Sequence, residues 1–356
     1  MNINFENFVF TADQIRDVRE LLKLKVVDFS NFALRHDVWT GVVADQEIGW
    51  LGELSDIGRP SRGCSPVEDA AITAGVKKIW QPKEFDVRLA TCYKDLEGTM
   101  AVYARRKGAA VQDLTGTEYL NIVVEKAEEA MNRFMWRMWF AQTDHSVVGS
   151  GTGSALLTAG TDPSLFRLLD GYWHQIFQIV AASPSQRITL AANAEGTAAL
   201  QNSTLTPALA LGALLDATYN MPVELVQTPN TQKIGMITRF FANQVKRAFQ
   251  EVNAHPDSYS ATIDGVEQLK VNGVNFVISD EWTRIIQQYF NLGATFHLPH
   301  RAIITTKANL AYGIKSDGNF LTFKIFHDDT LRKSFIDIID QVDVKVLQDR
   351  LIQVVY

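Results

Sequence analysis

This sequence of 356 residues has few cysteines, and their spacing suits neither metal binding nor a disulfide-stabilised fold. The two thiols are Cys64 and Cys92, and neither belongs to a CxxC pair. A disulfide framework needs several paired cysteines and a structural zinc site needs clustered ligands, so both are excluded. The pattern is typical of a chain made in a reducing cytoplasm.

Long hydrophobic runs and a surplus of positive charge are also lacking. The apolar stretch at residues 176–182 is far shorter than the roughly 20 residues that span a bilayer. Glu6 and Asp13 stand where a signal peptide has a basic region and then an apolar one. With 34 basic and 40 acidic residues the net charge is −6, which argues against a dedicated DNA-binding protein. We expect no membrane partner.

The composition is that of an ordinary globular protein, with 46% hydrophobic and 21% charged residues. At roughly 150 residues per domain, the length allows about two domains or one elaborate one. Helical and strand periodicities alternate along the chain and predict an α+β fold. We predict strands at 187–192, 233–238, 274–278, 301–306, 320–326 and 342–355, and helices at 162–180, 206–219, 240–252 and 281–290.

Residues 45–92 are predicted to form one long two-stranded ribbon. The segment runs into a turn-rich stretch at 56–66 and returns with Phe85, Val87 and Leu89 alternating with charged residues. A two-stranded ribbon is marginally stable alone in water, so we expect its partner on another subunit. The candidate contact residues at its tip are Gly58, Arg59, Pro60, Arg62, Gly63, Cys64 and Ser65.

A long helix is predicted at 116–142. It begins with a capping box at Thr115 and Glu118, and an apolar stripe follows at helical spacing. Its opposite side carries an i, i+4 ladder of two glutamates and two arginines, Glu125, Glu129, Arg133 and Arg137, which we interpret as a solvated face.

Motifs for catalysis or cofactor binding are incomplete throughout the sequence. Residues 149–154 have two of the three glycines of a dinucleotide loop, and 313–318 have Walker spacing without the following lysine, which predicts a turn. Pro299 prevents His297 and His300 from facing a metal along one helix turn. A turn is also the interpretation of residues 327–329. We therefore expect no catalytic residue, no cofactor and no metal.

Seven short sequence segments carry a resemblance through their order and spacing: Lys78–Lys83, Cys92–Leu96, Leu114–Glu118, Leu169–Trp173, Met236–Gln244, Gly273–Trp282, and His300–Leu310 with Gly313. Together they resemble the major capsid protein of tailed bacteriophages, whose fold is shared with herpesvirus capsid floors and encapsulins. The segments are similar in particular to capsid proteins of phages and prophages of Bacteroidetes.

The resemblance implies a domain organisation. It implies an N-terminal arm at 1–44, an extended loop (the E-loop) at 45–92, a peripheral domain at 93–199 and 316–356 with the spine helix at 116–142, and a compact axial domain at 200–315.

The resemblance also implies a structural role without enzymatic activity. The chain would assemble with itself into pentamers and hexamers of an icosahedral virion shell, built in the bacterial cytoplasm around double-stranded DNA that it does not read by sequence. Portal proteins would be partners, with scaffolding and decoration proteins as further candidates. Two alternatives stay open: an encapsulin-like shell around a cargo enzyme, and an α/β enzyme that uses residues 186–315 as a nucleotide fold.

Overall fold

The computed structural model describes most of the chain beyond residue 126 and parts of the segment before it. The described residues are 32, 34–48, 51–54, 72–74, 77–92, 127, 129–151, 153–252, 254, 259–263, 266–316, 322–328 and 333–356.

The described part of the chain is a mixed α+β structure. Its strands are β1 (Asp37–Thr40), β2 (Glu47–Ile48), β3 (Leu51–Leu54), β4 (Ile72–Ala74), β5 (Lys78–Ile79), β6 (Lys83–Cys92), β7 (His145–Val147), β8 (Ser154–Leu157), β9 (Arg187–Ile188), β10 (Lys233–Thr238), β11 (Ser260–Ile263), β12 (Val266–Val271), β13 (Val274–Ser279), β14 (Ala302–Thr306), β15 (Leu310–Ile314), β16 (Thr322–Asp328), β17 (Lys333–Val346) and β18 (Gln353–Val355). Its helices are α1 (129–137), α2 (Tyr172–Ala182), α3 (Ala198–Thr204), α4 (Pro207–Tyr219), α5 (Val223–Gln227), α6 (Arg239–Glu251) and α7 (Asp280–Tyr289).

Two sheets carry the fold. The first has five strands around the 14-residue strand β17, which pairs antiparallel with β6, β15 and β16, while β1 lies parallel to β15. The second has seven strands in the order β11-β12-β13-β10-β14-β18-β9. The last strand of the chain, β18, thus completes the second sheet a few residues after β17 has organised the first.

Six predicted elements agree with the structure to within one residue. They are the helices α4, α6 and α7 and the strands β10, β13 and β14 of the second sheet. Thr206 caps α4 by accepting from the Leu209 amide. α6 and α7 each concentrate their apolar residues on one face, which is the pattern that fixes a helix against a sheet. Apolar side chains of α4, α6 and the sheet form one buried cluster.

Three predicted elements are wrong in extent. The helix predicted at 162–180 is instead a 3-10 turn, Pro163–Leu165, followed by α2 from Tyr172. The strand predicted at 187–192 ends at Ile188 and continues into a 3-10 turn at 191–194. Residues 342–355 form the end of β17, a 3-10 turn and the separate strand β18.

The helix predicted at 116–142 ends earlier than expected, because another helix begins against it. Its described helical residues are 127 and 129–137, and the amides of the next three residues bond three residues back as the turn tightens. Beyond it, the carbonyls of Trp139 and Ala141 accept from the amides of Trp173 and Gly171, at 2.9 and 2.8 Å. Free carbonyls at one helix end are thereby satisfied by free amides at another helix start. This pairing also explains why α2 starts at Tyr172.

Three indole rings meet at this helix junction. Trp139 follows α1, Trp173 is in the first turn of α2 and Trp282 is in the first turn of α7; their ring centroids are 4.7 to 6.0 Å apart. All three are at most 2% exposed. The indole nitrogen of Trp139 donates to Nε2 of His36 at 3.0 Å, which ties the N-terminal segment to the same junction.

A smaller cluster fixes the start of β6 against the first sheet. The fully buried Trp80 packs with Val42, Ile48, Ala311 and Leu347. Its ring lies over Gly313 in β15, where a Cβ atom would come within 2.8 Å of the indole. Gly313 is thus a strand residue under an aromatic ring, so the turn predicted at 313–318 does not begin there. Residues 317 and 318 of that prediction lie outside the described residues.

Buried histidines add a pH-sensitive element to the core. His36 is fully buried and His300 is 1% exposed. Burial lowers the pKa of His36 to about 3 and that of His300 to about 4, although backbone carbonyls of Phe32 and Gln201 partly oppose the shift. Both imidazoles are therefore neutral in the fold at neutral pH.

Replacing Gly313 with alanine should destabilise the subunit by about 1–3 kcal/mol, because the added Cβ forces Trp80 out of its packing. Urea unfolding of the purified protein measures this loss. The matched control is Gly196→Ala, because no atom lies within 4 Å of the point that a Cβ would occupy there. Equal unfolding midpoints for the two variants would contradict the conclusion that Trp80 packs directly on Gly313.

Acid should destabilise the fold between pH 6.5 and about 4. The unfolded chain binds protons at His36 and His300 near pH 6.5, whereas the fold binds them only near pH 3 to 4. The contribution of the two neutral imidazoles to the free energy of unfolding is therefore fully present above pH 6.5. As the pH drops below that value, this contribution falls by about 1 kcal/mol per pH unit for each histidine. Urea midpoints across this range test it, and His300→Gln should give a shallower decline. An unchanged decline in that variant would exclude His300 as a cause.

Candidate assembly surfaces

The ribbon predicted at 45–92 exists as a paired structure near its base. β2 pairs antiparallel with β5, and β3 pairs antiparallel with β4, so residues 47–54 run against 72–79. Each of these pairs is only two strands wide within the described residues. Isolated two-stranded pairs are marginally stable in water, so the ribbon needs further contacts to be rigid.

The last ten residues of the predicted ribbon belong elsewhere, and that part of the prediction is wrong. β6, residues 83–92, pairs over its whole length with β17 of its own chain. Its alternating pattern fits a sheet strand with one face buried as well as it fits a ribbon strand, so periodicity alone did not distinguish them.

Polar contacts hold the ribbon base to the first sheet. The backbone of Trp80 exchanges hydrogen bonds with Asp45 and Gln46, at 2.9 and 3.0 Å. The amide of Gln81 donates to the buried carboxylate of Asp343 at 2.7 Å, and Lys78 pairs with Asp349 at 3.0 Å. The ribbon therefore leaves the body of the subunit at a fixed position. Its predicted tip, Gly58, Arg59, Pro60, Arg62, Gly63, Cys64 and Ser65, lies outside the described residues.

Exposed large hydrophobic side chains concentrate at two places. Among the described residues ten are exposed, and nine of them lie either around the ribbon base or on helices α3 to α5. The ribbon-base group is Leu34, Trp39, Val43 and Ile79, and the helical group, which we call the α4 surface, is Leu200, Leu209, Tyr219, Val223 and Val226.

The α4 surface is unusual because α4 is apolar on its outer side as well as its inner side. Leu209 and Tyr219 are 56% and 70% exposed, and Gly212 lies between them on the same stripe with open space above it. Asp216 is the charged residue of that stripe. An apolar exposed helix face is typical of a surface that another protein covers.

The side chains and loops with candidate chemistry are dispersed over the fold. Gly149, Gly151 and Gly153 adopt positive φ in the loop between the parallel strands β7 and β8, with no helix following to bind a phosphate. His300 is buried against the Gln201 carbonyl, and His327 lies in β16 rather than in a turn. No three potential metal ligands cluster within the described ranges, and no described helix has both the length and the apolarity to cross a bilayer.

The predicted solvated ladder on the long helix is described in part. Glu129 and Arg133 form an ion pair with both side chains about half exposed, which agrees with the prediction. Arg137, in contrast, is largely buried, with its guanidinium 5.9 Å from the ring of Phe134. Sequence analysis also missed Arg301, a fully buried arginine, because the strand pattern around it carries no sign of burial.

Comparison with solved structures identifies the fold. A chain of the satellite phage P4 procapsid that includes the size determination protein is 12% identical, with a TM-score of 0.54, covering 95% of this chain and 97% of that chain. A structure of Gordonia phage Cozz is 14% identical, with a TM-score of 0.50, covering 90% and 84%. No family model and no curated protein matches the sequence.

The expected α+β fold class is thus confirmed, while the resemblance to Bacteroidetes phages and the domain boundaries stay predictions. The match runs along nearly the whole of both chains, so it describes the complete architecture rather than one shared motif. The chain has the α+β fold of phage capsid proteins.

Proposed function

We propose that this protein is a structural subunit that assembles with itself into the icosahedral capsid of a tailed phage, around double-stranded DNA. The observation that carries the proposal is the fold, which is similar over 95% of the chain to a phage procapsid chain. The proposed location is the virion, with assembly in the bacterial cytoplasm. Portal, scaffolding and decoration proteins are its proposed partners besides its own copies.

The two exposed apolar surfaces support self-assembly. A subunit that stayed monomeric would expose both the marginal ribbon and the α4 surface to water. In the proposed shell, the α4 surface of the axial domain, 200–315, contacts neighbours within a pentamer or hexamer. The E-loop without the strand β6, which belongs to the subunit's own sheet, lies across an adjacent subunit. The arm at 1–44 and the peripheral domain at 93–199 and 316–356 form the remaining shell wall.

The charge of the chain fits a container better than a nucleic-acid binder. A net charge of −6 gives no overall attraction to the phosphate backbone, so packed DNA does not adhere tightly to the wall.

Electron microscopy and sedimentation of the purified protein test the proposal directly. Closed shells or rings of five or six subunits support it, and DNA or a cargo enzyme inside shells from cells separates a phage capsid from an encapsulin-like shell. A concentration-independent dimer or tetramer would contradict it.

Tyr219→Glu should block assembly while leaving the subunit folded. The side chain is 70% exposed, so its replacement costs the fold little, but a charge buried between subunits is strongly unfavourable. Tyr219→Phe is the matched control and should assemble normally, since it keeps the ring. Sedimentation velocity measures assembly and circular dichroism checks the fold. Normal shells from Tyr219→Glu would exclude the α4 surface as a contact.

Deleting the ribbon tip, residues 58–65, should leave a soluble subunit that assembles poorly. The lost contacts lie between chains in the proposed shell, whereas the ribbon base stays anchored by Trp80. Electron microscopy of the deletion variant, beside the unmodified protein at the same concentration, provides the measurement. Shells of normal yield and size would remove the intersubunit role of this loop.

A further inference from the structure

A cavity of about 350 Å³ lies at the helix junction, and we call it the Arg301 cavity. It is bounded by the end of α1, by β8, by α2 and by the loop before β14. Its lining combines five aromatic rings with three imidazoles: Phe140, Trp173, Phe177, Phe290 and Tyr356, and His145, His174 and His297. The volume lies at the lower end of the range of ligand pockets, so it suits a small molecule rather than a folded partner.

Arg301 places a buried positive charge in the wall of this cavity. Its side chain is 1% exposed, and its guanidinium carbon lies 5.0 Å from the ring of Trp173, 5.2 Å from Phe140 and 5.6 Å from Phe177. Burial lowers the pKa of Arg301 to about 9, so the guanidinium is charged at neutral pH. No carboxylate of the described residues forms an ion pair with it.

Backbone carbonyls satisfy only one side of the guanidinium. Nε donates to the Leu298 carbonyl at 2.7 Å and one terminal nitrogen donates to the His297 carbonyl at 3.0 Å. The other terminal nitrogen, Nη1, makes no hydrogen bond to a described residue. Leu298 adopts a φ of 45°, a conformation that side chains with a Cβ rarely adopt, and this loop positions the two carbonyls.

A buried charge without a counter-ion is costly, and the aromatic rings offset only part of the cost. The described lining contains no lysine, no second arginine and no acidic residue. Burial lowers the pKa of two of its histidines, His145 and His297, so these imidazoles add no positive charge at neutral pH. One guanidinium balances one negative charge, and planar bidentate pairing with a carboxylate is the geometry that arginine favours. The aromatic walls would exclude a small hydrated ion and favour an apolar body.

We propose that the Arg301 cavity binds a small organic monocarboxylate, with its carboxylate on Arg301 and an aromatic or branched apolar body among the aromatic side chains. The ligand would complete the charge balance of the junction and hold α1, α2 and the loop before β14 together. A site of this kind would let a small molecule stabilise the subunit without touching either assembly surface.

Isothermal titration calorimetry of the full-length subunit tests the proposal, with 3-phenylpropionate as the probe and 3-phenylpropan-1-ol as its neutral counterpart. We expect the carboxylate to bind at least about tenfold more tightly than the alcohol, because a charge-assisted pair with a buried arginine is strong. Equal affinities, or no saturable binding of the carboxylate below about 10 mM, would overturn the proposal. Binding is measured on subunits, so the result does not depend on shell formation.

Paired variants locate the binding site. Ser154→Trp, at the start of β8, places a large ring in the lining and should weaken carboxylate binding at least about tenfold. Ser150→Trp, in the loop before β8 and outside the lining, should not. Arg301→Met should remove the preference for carboxylate over alcohol. If that variant does not fold, the difference in carboxylate affinity between the two serine variants tests the location of the site. Equal affinities in the two serine variants would place the ligand elsewhere and overturn the assignment.

Discussion

The fold depends on burying three indole rings where the ends of three helices meet. Aromatic rings of this size bury the largest apolar area per residue, so Trp139, Trp173 and Trp282 dominate the packing at this point. Helix starts and ends normally expose unpaired amides and carbonyls, and here the end beyond α1 and the start of α2 satisfy each other. At this junction α2, which packs against β17 of the first sheet, meets α7, which packs against β10 of the second. The junction therefore connects the two sheets.

The sequence predicted those elements correctly whose structure is determined by signals within the element itself. The apolar stripes of α6 and α7 and the cap at Thr206 are local signals, and these helices lie where the patterns put them. The predictions failed where a contact with residues far away in the sequence determines where an element begins or ends. The helix predicted from residue 162 is divided because the amides of Gly171 and Trp173 bond to the end of another helix, which no local pattern reveals.

The candidate surfaces show the same division between local and distant causes. Alternation and turn residues predicted a ribbon, and β2 to β5 pair as expected, but pairing of β6 with β17 links residues about 250 positions apart. The α4 surface could not be predicted without knowing which side of a helix that is largely apolar on both sides faces the core. The burial of Arg301 could not be predicted without knowing that two rings of α2 and the ring of Phe140, which follows α1, surround it.

The position of the ribbon follows from the sheet rather than from the ribbon itself. Only residues 80–82 separate β5 from β6, so the ribbon continues a strand that is already paired with β17. Trp80 sits on Gly313 at that point, and the next residue donates to Asp343 of β17. The register of β6 against β17 in the first sheet therefore sets the direction of a ribbon that is too thin to be rigid alone. Its direction is set within the subunit itself. In the proposed shell, the neighbouring subunit has only to supply the contacts that the two strands lack.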